Sequence, residues 1–371
     1  MTRGILLFGA TVLAGCGGLR GGDGAVDAGG DVAADAGGDV ATPACVPCGG
    51  GCVDPATFAS DPDSCGACGH GCQGGSCGGG ACQPVALFTG SSGACPMSIA
   101  VSGGYVYWID CEGAGETVNR CAVGGCNGQP TVLAAGRAEL GPLSVNAQSV
   151  YFADSFNAAV DVCPLAGCSG APTVFASTGN YARIAVDAAD VFWTTSAAGA
   201  VSRCAVGGCN GQPTVIASGN GHPGDVAVDG THVVWVDSAG TVNQCPVGGC
   251  QGQPTVLASG QTHPWAVLVS GGYAYWVDNP GLPGSVRRCA LGGCNGQPTV
   301  LLSGVQPSAI AVDATSVYWT DRTTVQACAL AGCNGAPTLL ASGQQLDSLA
   351  VDATGVYWTD VGSRQVLRIV K

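Results

Sequence analysis

The run Val317-Tyr318-Trp319-Thr320-Asp321 returns unchanged as Val356-Tyr357-Trp358-Thr359-Asp360. Looser copies occupy 106–110, 150–154, 191–195, 234–237 and 274–278. A short apolar run precedes each copy, such as Ile184-Ala185-Val186-Asp187 or Ile310-Ala311-Val312-Asp313. Behind each full copy come a run like Val118-Asn119-Arg120-Cys121 and a second cysteine, then one like Pro130-Thr131-Val132-Leu133. The first cysteine falls at 121, 163, 204, 245, 289 and 328, in steps of 42, 41, 41, 44 and 39 residues. The runs alternate in polarity, are rich in β-branched and aromatic residues, and are bounded by Gly and Pro. A period near 40 with four strand-like runs per unit predicts an all-β chain folded as a β-propeller.

We letter the four strands of a blade a to d, with the "VYWTD" run as strand b. Complete units begin near 97, 140, 181, 223, 264 and 307, and a seventh near 346 reaches Lys371 with no strand d of its own. The missing strand stands elsewhere. Residues 83–90 align without a gap to 129–136, and they lie just ahead of the first strand a. The expected architecture is a seven-bladed propeller over 83–371, closed by that N-terminal strand. Closure removes a free sheet edge.

The "YWTD" wording resembles the YWTD propeller of the low-density lipoprotein receptor family. That family closes with six blades, so the resemblance implies a propeller and not a receptor function. The Tyr and Trp residues are expected to fill the space between blades. Asp110, Asp154, Asp237, Asp278, Asp321 and Asp360 close strand b and are expected to be hydrogen-bonded turn residues.

The formal net charge is −13 and Lys371 is the only lysine. This argues against nucleic acid and against electrostatic adsorption to anionic lipid. Twenty-three cysteines point to an oxidising compartment. Twelve form six local pairs: Cys121 with Cys126, Cys163 with Cys168, Cys204 with Cys209, Cys245 with Cys250, Cys289 with Cys294, and Cys328 with Cys333. All share one C-x4-C spacing at the c–d turn and are expected to be disulfides. Zinc needs four ligands, and each pair is alone in its blade with no histidine nearby. Cys95 and Cys111 are left over and are expected to pair with each other, with a bond into the cysteine-rich segment 45–82 as the alternative.

Ahead of the propeller three further segments are expected. Residues 1–16 read as an export leader, and Leu13-Ala14-Gly15-Cys16 resembles a bacterial lipobox. The resemblance implies a lipid on Cys16 and attachment to the cell envelope, and Gly17 after it, where enterobacterial lipoproteins of the inner membrane carry Asp, points to the outer membrane. Residues 17–44 are Gly, Ala, Val and Asp almost throughout and read as a solvated tether. Residues 45–82 hold eight cysteines, and the stretch 63–72 resembles the Stig1-type cysteine-rich module. Four disulfides are expected there, and His70 reads as a surface residue.

Alternating strand direction puts the b–c and d–a loops on one face. The b–c loop varies, from 8 positions in blades 1 and 5 to 4 in blade 6. The d–a loops carry a polar residue six before the strand-a valine: Cys95, Glu139, Asn180, His222, His263, Gln306 and Gln345. These are expected to ring the channel mouth, with Trp265 beside the second His-Pro step completing the best contact patch. A protein or glycan ligand at the envelope is the expected partner, and no cofactor or metal is expected. Lyases of the virginiamycin B type are similar in architecture. That similarity implies the alternative, an enzyme with a histidine and a divalent metal near the axis. No Glu partner beside either histidine, no metal-ligand cluster and no nucleophile–base pair is present to carry it.

Overall fold

The computed structural model describes residues 46–48, 51–67, 70–111, 115–168, 171–179, 182–219, 221–278, 284–333 and 335–371. Cys16, the 17–44 tether and Asn180 lie outside them. Seven four-stranded antiparallel sheets follow one another through the chain. Blade 1 is Pro96–Ser102, Tyr105–Asp110, Glu116–Ala122 and Thr131–Arg137. Blade 4 is Pro223–Val228, His232–Asp237, Thr241–Pro246 and Thr255–Ala258. Blade 7 takes Leu346–Val351, Gly355–Asp360 and Gln365–Val370 from the end of the chain and Val85–Thr89 from its front. In that seam Gln365 faces Thr89, Val366 faces Phe88, and Arg368 faces Val85.

The repeat wording follows from strand alternation. Successive side chains of strand b point to opposite faces of the sheet. The first aromatic therefore faces one neighbouring blade and the second faces the other. Tyr357 shares an apolar cluster with Trp108, Tyr151 with Trp193, Phe192 with Trp235, Tyr275 with Trp319, and Tyr318 with Trp358. In blade 4 the first position is Val234, and it packs with Trp276. Each indole thus lies between its own blade and the preceding one. Strand b is the second strand of each sheet, flanked by a and c, so it is buried along almost its whole length.

All six C-x4-C pairs are disulfide-bonded across the c–d turn. Cys121 is joined to Cys126, Cys163 to Cys168, and Cys204 to Cys209. Cys245 is joined to Cys250, Cys289 to Cys294, and Cys328 to Cys333. The first cysteine of each pair is buried in strand c, and the second packs at the edge of an interblade cluster. The pairs therefore join blades as well as turns, as Cys163 and Cys168 do against the strand-d carbonyl of Leu133. Cys126 lies in the same way against the Leu87 carbonyl, Cys250 against that of Ile216, and Cys294 against that of Leu257.

The six strand-b aspartates all accept backbone N–H groups: Asp110 from Cys95 at 2.9 Å, Asp154 from Asn157 at 2.8 Å, Asp237 from Ala239 at 2.6 Å, Asp278 from His263 at 3.1 Å, Asp321 from Thr324 at 2.7 Å and Asp360 from Ser363 at 3.1 Å. Asp154, Asp237, Asp321 and Asp360 thus build the turn at the end of strand b, whereas Asp110 and Asp278 fasten the loop that enters strand a of the same blade.

The cysteine-rich segment joins the propeller in one compact unit, 44–371. Cys65 pairs with Cys77 and Cys72 with Cys82. These cysteines share an apolar cluster with Leu349, Val356 and Ile369 of blade 7. His70 is not simply a surface side chain. Its Nδ1 is 2.7 Å from the Cys65 carbonyl and its Nε2 3.1 Å from that of Lys371. The buried Arg368 guanidinium donates to the Gln73 carbonyl. Among the described residues no helix is long and apolar enough to cross a membrane.

Candidate functional site

One cavity of about 810 Å³ is lined by strand a of all seven blades, which places it on the axis of the wheel. Its wall is made by the first residues of those strands, at the end where each d–a loop delivers the chain. Such a volume suits a small organic molecule.

The register of strand a explains which side chains reach the cavity. In blade 4, Pro223 pairs with Asp237 and pairing resumes only at Val226 with Trp235. Blade 5 repeats this with Pro264 on Asp278 and Val267 on Trp276, blades 2 and 7 do likewise, and blade 1 shifts between Met97 and Ile99. Each is a β-bulge, which leaves residues unpaired and re-aims their side chains. The residues of the bulge therefore flare inward. Among them are Ser98, Asp225, Trp265, Asp347 and Ser348, all in the cavity wall. Blades 3 and 6 pair without a shift, and there Arg183 and Ser308 fill the wall.

This corrects part of the expected ring. Glu139 and Trp265 line the cavity, whereas His222, His263, Gln306 and Gln345 do not. These four remain exposed in the loops, and in blades 4, 5 and 7 a bulge follows that turns the next residues inward. His222 Nδ1 is 3.1 Å from the Ser196 carbonyl. The His263 ring stacks beside Trp265, centroids 6.2 Å apart and planes at 21°. Cys95 sits at the entry to blade 1, disulfide-bonded to Cys111.

Arg183, Asp225 and Trp265 come together from three successive blades. The Arg183 guanidinium lies 5.3 Å from the Trp265 ring centroid, in a cation–π arrangement. Asp225 Oδ2 accepts the Val267 N–H at 2.9 Å, across from blade 4 to blade 5. Burial pushes the Asp225 carboxyl above its ordinary range, while the Arg183 charge and the Val267 N–H work the other way. Ser98 and Ser348 make equivalent interblade bonds: Ser98 Oγ accepts from Leu143 N at 2.9 Å, and Ser348 Oγ accepts from Ile99 N at 3.2 Å. These three inward side chains and a fourth, Asp347, thus hold adjacent strands a together in the cavity wall. Asp347 Oδ2 accepts from Ser98 N at 3.3 Å. Near Glu139, burial is the main influence raising the Glu116 carboxyl, and the Glu139 charge adds to it.

Trp265 departs from the repeat. The chain has seven tryptophans. Six, at 108, 193, 235, 276, 319 and 358, are buried in strand b with at most 1% exposure, and Trp265 is 45% exposed. Sequence reading found Trp265 and Glu139 but missed Arg183 and Asp225. The signal that marks them is their place three residues beyond the polar loop position.

No protein-family model matches the chain. No curated protein matches it either. Solved structures match over most of it. Virginiamycin B lyase from Staphylococcus aureus aligns at a TM-score of 0.62 and 11% identity, covering 78% of this chain and 98% of the lyase. A catalytically inactive histidine-to-alanine variant of that lyase with quinupristin aligns at 0.61 and 12%, covering 78% and 99%. The computationally designed Ika8 protein aligns at 0.54 and 15%, covering 77% and 99%. At these identities the likeness defines the class of fold, an all-β seven-bladed propeller.

Proposed function

We propose that the chain is a binding module of the cell envelope that recognises its ligand at the axial cavity. The observation that carries this reading is Trp265. An indole left 45% exposed in the wall of a cavity, while the other six are buried in strand b, is a contact surface open to a ligand. The nine disulfides described suit an exported protein. Attachment through a lipid on Cys16 and residence at the outer membrane complete the proposal. The first test is a thermal-shift screen of envelope glycans and peptides against wild type and Trp265→Ala. Ligands that stabilise wild type and spare the variant support the reading; equal effects on both would sink it. The second is fractionation, in which Cys16→Ser is expected to leave the membrane pellet.

The second reading is a propeller lyase. Its support is the fold shared with virginiamycin B lyase. The described wall offers carboxylates and one guanidinium but no imidazole. Incubation with quinupristin followed by mass spectrometry tests it: consumption of the intact compound favours the enzyme, and its survival favours the binding module.

A further inference from the structure

We propose that the axial cavity takes a small organic cation, a molecule carrying an ammonium or guanidinium group beside an apolar body. This rests on the reading of the cavity as a binding site and names the chemistry of what enters it.

The indole is the first ground. The position of Trp265 is occupied in other blades by Met97, Gly141, Gly224, Ser308 and Asp347, so the fold does not require a large ring there. An indole face attracts cations through its quadrupole. Here the ring already holds the Arg183 guanidinium at 5.3 Å and still leaves 45% of the residue open. The platform is thus formed and partly free.

The charge of the wall is the second ground. Three carboxylates, Glu139, Asp225 and Asp347, face one guanidinium, Arg183. Asp225 and Arg183 oppose each other, as the influence of Arg183 on the Asp225 carboxyl shows. The remaining two carboxylates are not ion-paired to any described lysine or arginine. Asp347 is instead oriented by a backbone N–H, that of Ser98 at 3.3 Å. A concave wall with surplus negative charge focuses its field and concentrates cations. The chain as a whole, at net charge −13, adds to the same field.

An anion is disfavoured by the same count, because the one guanidinium, Arg183, already faces Asp225 and the wall carries two further carboxylates. A neutral apolar ligand would use the indole but leave those carboxylates desolvated without a partner.

The experiment uses the full chain and three probes of one shape: phenethylammonium, 2-phenylethanol and 3-phenylpropionate. The readout is acrylamide quenching of tryptophan emission. Trp265 is the one exposed indole, so quenching reports the cavity. Phenethylammonium is expected to protect Trp265 at a concentration at least about tenfold below that needed by the alcohol. Raising the salt concentration is expected to weaken that protection. Asp347→Asn keeps the acceptor for the Ser98 N–H and removes the charge, and Glu139→Gln removes the charge in the loop. Each is expected to lower the affinity severalfold without a change in Tm, and one such variant folding normally suffices for the test. Equal or better protection by the alcohol or the propionate would overturn the cation and leave the binding site standing. Protection by none of the three would overturn the cation together with the site.

Discussion

Arg137 Nε, at the end of blade 1, lies 2.8 Å from Oδ2 of Asp161 in blade 2, and Asp161 is wholly buried. The same nitrogen is 3.3 Å from Asp154 Oδ2, and Arg137 also donates to the Pro172 carbonyl at 3.2 Å. One guanidinium therefore fastens two blades and answers two buried carboxylates. Burial raises the Asp161 carboxyl, and Arg137 is the main influence against it. Arg137→Met removes that influence and leaves a buried carboxylate without its counter-charge. Urea unfolding at pH 7 is expected to show a loss of about 3–5 kcal/mol. Asp161→Asn in the same chain is expected to restore part of it. A carboxylate whose folded pKa is raised favours the fold below its unfolded value and loses that contribution as pH rises through the folded one. The deficit of Arg137→Met is therefore expected to grow from pH 4 to pH 7. A deficit below about 1 kcal/mol that stays flat with pH would refute this.

Lys371 makes the opposite case. Its ammonium is 2.7 Å from Asp313 Oδ2, bonds the Asp352 carbonyl, and lies 5.6 Å from the Tyr318 ring centroid. Burial disfavours the Asp313 charge. Lys371, the N–H groups of Thr315 and Ser316, and the Tyr318 hydroxyl together outweigh it and hold the carboxyl well below its ordinary range. A lowered carboxylate contributes stability above its unfolded value, near 3.8, and loses it as pH falls further. Lys371→Met is expected to cost about 1 kcal/mol at pH 7. That cost is expected to shrink below about pH 4 as Asp313 takes up its proton. Burial and the neighbouring Asp313 push the Tyr318 phenol up to about 12. A phenolate titration at 295 nm should therefore include a tyrosine that ionises near pH 12 in wild type and is lost in Tyr318→Phe.

The seam of the ring rests on Leu87, which is 2% exposed and packs with Trp108, Tyr357 and Val366. Phe88 adds a ring contact to Trp108 at 5.2 Å. Leu87→Ala empties a site shared by the first and last blades. The expected cost is about 2–5 kcal/mol, read by thermal or urea unfolding of the full chain. Unfolding should stay cooperative, since opening the seam exposes an edge on both sides. A Tm within a degree of wild type would show that Leu87 does not hold the seam.

What was legible in the sequence follows from periodicity. The Tyr-Trp pair alternates across strand b, and a period-2 signal repeated seven times gives blade number, strand order and the aromatic faces. The C-x4-C pairs, from Cys121 with Cys126 to Cys328 with Cys333, were legible because both partners lie in one turn. Their second task, packing between blades, was not, because the carbonyls they meet come from the preceding blade. The cavity was only half legible. A bulge inserts residues without changing the repeat length, so the polarity pattern alone does not mark where the side chains turn inward. His222 and His263 were chosen for their loop position, and the bulge gave the wall to Asp225 and Trp265 instead. Arg137 and Asp161 were missed for another reason. They lie 24 residues apart and meet only because adjacent blades stack at one depth.

Cys95 and Cys111 offer the last test. The structure joins them across a sequence separation of 16, at the entry to blade 1. The Cys95 N–H also donates to Asp110 Oδ1 at 2.9 Å, so loop and strand end are fastened twice. The bond sits beside the seam that Leu87 fills, where the front of the chain enters the ring. Loop-closure entropy for a span of this size is worth about 3 kcal/mol. Replacing both cysteines by serine is expected to lower stability by up to that amount, with the Asp110 bond retaining the loop geometry. Chymotrypsin is the protease of choice, because Tyr105, Tyr107 and Trp108 lie between the two cysteines and Phe88 separates them from the cysteine-rich segment. Digestion without reduction should yield one species joining the peptide of Cys95 to that of Cys111, and reduction should split it. A species joining Cys95 to any cysteine before residue 83 would instead show that the front segment is bolted to the wheel.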